Sequence, residues 1–254
     1  AQPSTQSRVL TLALPAVGEQ VLNMMVGIAD SYLVGHLGAQ ALSAVGLANQ
    51  AVMLAMSFYS AVGTGATALV ARHTGAQEPQ AANRIMHQAL LMGGLIGLAS
   101  LLLFYPFAQQ IITLLNAPAD VIAPGTGYLQ IVSLTFLISA LMFIGMAALR
   151  GAGDTRTPMV VMGIVNVVNV AVAWAFIYGL GPIPAMGVTG SAIGAATGRS
   201  VGGVIILYLL WKGRTGLRFS WPNFRPDVTQ IKRILNIGLP AGLEILFMRG
   251  GQTI

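Results

Sequence analysis

The sequence predicts an all-α membrane protein: a six-helix transmembrane lobe followed by the start of a second lobe. Three observations carry this. Of 254 residues, 55% are hydrophobic and only 8% charged, whereas a soluble domain carries roughly 25% charged residues. The apolar residues gather into runs long enough to cross a bilayer, which takes about 20 residues at ~1.5 Å each. The last run also repeats the first. A shift of 225 residues aligns Arg8 with Arg233, Leu14-Pro15-Ala16 with Leu239-Pro240-Ala241, and Glu19 with Glu244. Both copies begin on the same side, as in a parallel repeat about an axis along the membrane normal. The chain stops one residue short of the counterpart of Asp30, and a complete second lobe needs roughly 200 further residues. The expectation is half of a two-lobed protein. Residues 1–211 form the first lobe, 212–231 a basic linker, and 232–254 the incomplete first helix of the second.

The first span, Val9–Gly35, is apolar but contains Glu19, Asn23 and Asp30. At 100° per residue these three share one helix face. Polar groups inside a membrane helix are costly and face protein or water, seldom lipid. Pro15 removes one ladder hydrogen bond near the entry end and can bend the helix. A second span is expected over Ala41–Ala71 and a third over Ile85–Phe104, both without charge. Residues 107–118 are short and amphipathic, suited to the interface. Val121–Leu149 reads as one uncharged fourth span. Thr157-Pro158 reads as the cap and first residue of a fifth, with Trp174 and Tyr178 in an aromatic belt at its far end. A sixth runs from Val188 to Trp211.

The net charge of +6 is explained by topology. With the N-terminus inside, Arg8, Arg72, Arg84, Arg150, Arg156, Lys212, Arg214, Arg218, Arg225, Lys232 and Arg233 all fall on inward segments, and the outward turns hold no basic residue. This fixes the expected orientation and leaves no case for nucleic acid as a partner. The linker, with Phe219, Trp221 and Phe224 between its charges, is expected on the anionic inner leaflet. There is no cysteine, hence no disulfide or thiolate metal site.

Nothing argues for an enzyme. Gly198–Gly202 fits the nucleophile-elbow string and Gly63–Ala68 mimics a dinucleotide fingerprint, but both lie inside apolar spans and not after strands. Gly190, Gly194, Gly198 and Gly202 recur at every fourth position and predict a smooth stripe for close helix packing. Arg199 on the sixth span and Glu19 on the first sit at similar depth, so they are expected to pair. Asp30 has no obvious basic neighbour, and a carboxyl in a poorly solvated cavity exchanges protons near neutral pH; the alternative is a hydrated aspartate at the interface. Asn166 and Asn169, three apart on the fifth span, suit a ligand or a neighbouring helix. Met24, Met25, Met53, Met56, Met142, Met146 and Met162 suit an adaptable cavity or plain packing. His36, His73 and His87 lie at span ends or in loops and are assigned no role.

The motifs LALPAVGEQ and IADSYLVGHLG in the first span, GATALVARHTGA closing the second, ALRGAGDTRTPM before the fifth, and VNVAVAWAFIYG with GVTGSAIGAATGR beyond it resemble the multidrug and toxic compound extrusion (MATE) transporters, in their DinF-like branch. The resemblance covers essentially the whole chain, and ALRGAGDTRTPM is its most specific part. It implies a two-lobe, twelve-helix parallel-repeat transporter of which this chain is a truncated part. It further implies an antiporter that uses a sodium or proton gradient to expel small amphipathic organic cations by alternating access, without a cofactor. The partners implied are membrane lipid and the missing C-terminal lobe. The family's cation-coupling aspartate falls on Asp30 and the asparagine of its N-x-x-x-D pattern on Asn169. The pattern's aspartate position is Ala173, and the sixth-helix threonine position is Ala195, with Thr197 close by. A hard cation needs several oxygens, so the missing ligands favour proton coupling at Asp30, or a site involving the missing lobe, over a sodium site in this lobe. Glu19, Asn23, Asn166, Thr197, Arg199 and Glu244 are expected in the substrate cavity or a structural polar network. Rival expectations are a lipid-linked precursor flippase of a related superfamily, which would need several cavity arginines, and a non-transporting membrane assembly module.

Overall fold

A computed structural model describes residues 5–182, 184–213, 216–219 and 226–250. Among them the regular structure is helical: α1 (Thr5–Gly35), α2 (Ala39–Gly75), α3 (Pro79–Phe104), α4 (Ala108–Leu114), α5 (Ala119–Ser133), α6 (Phe136–Gly151), α7 (Arg156–Tyr178), α8 (Val188–Lys212) and α9 (Val228–Gly250). Helices α2, α3, α7 and α8 are long and apolar enough to cross a membrane, and the bent pair α5–α6 makes a fifth such unit. With 31 residues, α1 also has the length of a span. The short amphipathic segment expected at residues 107–118 is α4.

The fourth span is broken, contrary to the continuous run expected over Val121–Leu149. The axes of α5 and α6 differ by 56°. Around the break Ser133 Oγ donates to the Gln130 carbonyl at 2.8 Å and Thr135 Oγ1 to that of Val132 at 2.7 Å. The same carbonyls also accept backbone N–H groups, Leu134 N at 3.3 Å and Thr135 N at 3.0 Å, so each hydroxyl shares an occupied carbonyl, an arrangement that goes with bent helices. The start of α7 is also corrected. Asp154, not Thr157, caps it: Thr157 N and Oγ1 donate to the Asp154 carboxylate at 2.9 and 2.6 Å, and the helix begins at Arg156.

The glycine stripe of α8 lies against α7, as its spacing predicts. A Cβ on Gly194 would stand 2.6 Å from Ala173 Cβ, and one on Gly198 2.9 Å from the Val165 carbonyl. Neither fits without moving a helix. A second glycine seam joins α2 to α9. Gly65 faces the Ile234 carbonyl and Gly238 the Ala61 carbonyl, with no room for a side chain at either, and Ile234 is fully buried. Leu217 is buried in the same apolar cluster as Ile234, Phe219 stacks on His87, and Arg218 N donates to Asn83 Oδ1 at 2.7 Å. This part of the linker packs on the protein, and not solely on a leaflet surface as expected. Trp221, Phe224, Arg214 and Arg225 lie outside the described residues.

The interior divides into two apolar clusters stacked along the bundle. One gathers Leu69, Met86, Leu149, Met162 and Ile206 toward the end that carries Arg72, Arg84, Arg150 and Lys212, here called the basic end. The other gathers Val34, Tyr59, Leu129, Phe136 and Ile177 toward the opposite end.

Candidate functional site: a polar belt between two apolar cores

Where the helices pass from one cluster to the other, they contribute polar side chains. On α2 the change falls between Tyr59 and Val62, on α3 between Met92 and Phe104, and on α6 between Ala140 and Met142. On α7 it falls between Val165 and Ala173, and on α8 between Ala195 and Ile206. These intervals hold or adjoin Tyr59, Ser100, Ser139, Asn169, Thr197 and Arg199, and Asp30 comes from α1 between Leu22 and Leu33. Asp30, Ser100, Ser139 and Asn169 are all buried. Four atoms of this belt, Asp30 Oδ1, Tyr59 Oη, Ser139 Oγ and Asn169 Oδ1, are buried without a hydrogen-bond partner among the described residues.

An unsatisfied buried polar atom costs about 1–3 kcal/mol, so several in one layer mark a place built for something other than stability. Asn169 and Arg199 are polar neighbours of Asp30 from α7 and α8, and no hydrogen bond or ion pair ties either to it among the described residues. Tyr128 Oη reaches Asn49 Oδ1 at 3.4 Å. Ala173 is buried against Gly194 and offers no oxygen, and Ala195 is buried in the apolar cluster.

Other expected residues lie elsewhere. Glu19 does not pair with Arg199; its Oε1 accepts from Arg150 Nη1 at 2.6 Å. The expectation failed because depth along a helix says nothing of which neighbour that face meets: α1 packs along α7, and Arg150 closes α6 just before α7 begins. No carboxylate stands within salt-bridge distance of Arg199 among the described residues. The first-helix stripe therefore divides in two. Glu19 and Asp30 are buried, while Asn23 is exposed and spends its amide on the Glu19 carbonyl at 3.1 Å. Asn166 holds α7 to α1 by donating to the Leu22 carbonyl at 2.7 Å, leaving its own Oδ1 unpartnered. Thr197 is half-buried and Glu244 exposed. Met142, Met146 and Met162 pack in the core, whereas Met24, Met25 and Met53 are exposed.

Sequence reasoning missed Tyr59, Ser100, Ser139 and Arg150. The first three are single hydroxyls inside uncharged runs, where composition gives no sign of a shared layer. Arg150 was counted as a topology marker only.

The MatE family profile matches residues 15–175. The chain belongs to the MatE family. A probable multidrug resistance protein NorM of Thermotoga maritima is 32% identical over 243 residues, covering 95% of this chain and 52% of the relative. Multidrug resistance protein MdtK of Pectobacterium atrosepticum is 26% identical over 250 residues, covering 96% of this chain and 54% of the relative. This MatE chain thus spans about half the length of the curated relatives it matches. Among solved structures, a MOP superfamily transporter from Pyrococcus furiosus superposes with a TM-score of 0.90 at 24% identity, over 99% of this chain and 55% of that one. A MATE crystal structure in the straight conformation gives 0.90 and one in the bent conformation 0.89. The fold is that of one half of such transporters. The MatE chain is a multi-pass membrane protein from a family of transporters, not enzymes.

Proposed function

We propose that the intact protein is a cation-coupled antiporter that exports amphipathic, often cationic drugs by alternating access, with the polar belt as its coupling site. The support is the layer of unpartnered buried oxygens around Asp30, joined to the naming of its relatives as multidrug resistance proteins. Protons fit this belt better than sodium. Asp30 is its one carboxylate among the described residues, Arg199 already supplies a positive charge nearby, and Ala173 and Ala195 provide no side-chain oxygen. A second fixed cation would add charge to a belt that is already neutral, whereas a proton needs only the carboxylate. In this reading the N-terminus lies in the cytoplasm and the bundle crosses the cytoplasmic membrane; the distribution of basic residues supports that orientation.

Protonation of Asp30 removes its attraction to Arg199 and lets α1 shift against α7 and release the cargo. The test is efflux from proteoliposomes driven separately by a pH jump and by a sodium jump. Efflux is expected to follow the pH jump and to be lost in Asp30→Asn. Sodium-driven efflux indifferent to pH, or full transport by Asp30→Asn, refutes the coupling site.

A further inference from the structure

At the basic end, away from the belt, the α2–α3 turn and the first turn of α9 border a cavity of about 480 Å³ whose lining includes His73, Glu78, Gln80, Arg84, Ile85 and Gln230. Its polar groups are of two kinds. His73 Nδ1 and Glu78 Oε2 are paired at 2.7 Å, which leaves the other oxygen of this half-exposed carboxylate available. Gln230 Oε1 is buried and has no partner among the described residues. Both want a donor. Arg84 is exposed and has no ion-pair partner among the described residues, so it wants an anion. A simple anion would meet Glu78, and a simple cation would meet Arg84. A ligand carrying an N–H-bearing ammonium a few bonds from a phosphate satisfies all three groups.

The surroundings select the source of that ligand. On α3, Leu95 and Leu102 lie 11 and 18 residues beyond Arg84, within about 20° of its direction at 100° per residue. They are 63% and 65% exposed. Arg84 therefore stands at the foot of an exposed apolar stripe, and where that stripe faces lipid, Arg84 lies at the depth of the headgroups. We propose that this cavity binds the phosphoethanolamine headgroup of a phospholipid from the adjoining leaflet, phosphate on Arg84 and ammonium between Glu78 and Gln230 Oε1. Because Gln230 belongs to α9 and the other groups to α2 and α3, the headgroup bridges the seam that Gly65 and Ile234 close one turn away. A bound lipid holds that seam shut. This site is independent of the coupling reading, and its test involves no transport.

The test is thermal unfolding of the purified intact protein in detergent, titrated with short-chain phosphatidylethanolamine, phosphatidylcholine, phosphatidylglycerol or free phosphoethanolamine. Phosphatidylethanolamine is expected to raise the unfolding temperature saturably. Phosphatidylcholine lacks N–H donors and phosphatidylglycerol lacks the cation, so both fall well short. Arg84→Gln and Gln230→Leu each weaken the response about tenfold in apparent affinity, whereas Arg84→Lys keeps most of it; the lipid-free unfolding temperature of each variant reports whether it is folded. Equal stabilisation by the three lipids, or unchanged titrations in Arg84→Gln and Gln230→Leu, overturns the proposal. Free phosphoethanolamine binding as tightly as the lipid overturns the lipid assignment and points to a soluble ligand.

Discussion

Replacing Arg150 by glutamine strands Glu19, and the size of the effect follows from where the pair sits. The Glu19 side chain is 10% exposed and that of Arg150 25%, between a surface ion pair, worth about 0–1 kcal/mol, and a fully buried one, whose breakage costs about 3–5 kcal/mol. A single 2.6 Å charge-assisted bond at this burial places the cost near 2 kcal/mol. At about 2–4 °C per kcal/mol for a domain of this size, the unfolding temperature falls by roughly 4–8 °C. Tryptophan fluorescence in detergent reads this directly, using Trp174 and Trp211. Glu19→Gln alone is expected to cost less, because the amide still accepts a bond and no charge is left buried. The double variant Glu19→Gln/Arg150→Gln then loses less than the sum of the singles, with a coupling of about 1 kcal/mol or more. Coupling below about 0.3 kcal/mol refutes the pair as a fastening of α1. Coupling of Glu19 to Arg199 in its place would restore the arrangement that the sequence suggested and discredit the packing of α1 described above.

Two further outcomes follow from the helix contacts. Gly238→Ala sets a methyl against the Ala61 carbonyl and is expected to part α2 from α9 and lower the unfolding temperature in the same assay; Gly46→Ala, with nothing within 4 Å, stabilises by roughly 0.5–1 kcal/mol. Asp154→Ala removes the cap of α7 and is expected to cost about 1 kcal/mol in the same unfolding assay, whereas Thr157→Val, which keeps the backbone bond to Asp154 Oδ1, costs less.

The helices were legible because each is specified locally. Apolar runs such as Ala41–Ala71 and Val188–Trp211 are read within a few residues of themselves, and they fall on α2 and α8. The α8 stripe was legible for the same reason, since a four-residue glycine period has one geometric consequence whichever helix answers it. The break at Leu134–Thr135 was not. Hydropathy averages over the hydroxyls that flank it, and Ser133 and Thr135 add little polarity to a span of such apolar neighbours.

Polar partnerships lie beyond local reading for a deeper reason. Glu19 and Arg150 are 131 residues apart, and nothing in either segment names the other. Depth matching suggested Arg199 because it treats helices as interchangeable cylinders. Packing assigns each side of α1 a particular neighbour, and Asn166, bonded to the Leu22 carbonyl, shows that the face near Glu19 belongs to α7 and its approach. With Glu19 accounted for by Arg150, the Arg199 guanidinium is left to act on Asp30. The misassigned pair and the candidate coupling site are thus one question: had Glu19 neutralised Arg199, Asp30 would stand alone in the belt, with a stronger pull on a metal cation and less reason to prefer a proton.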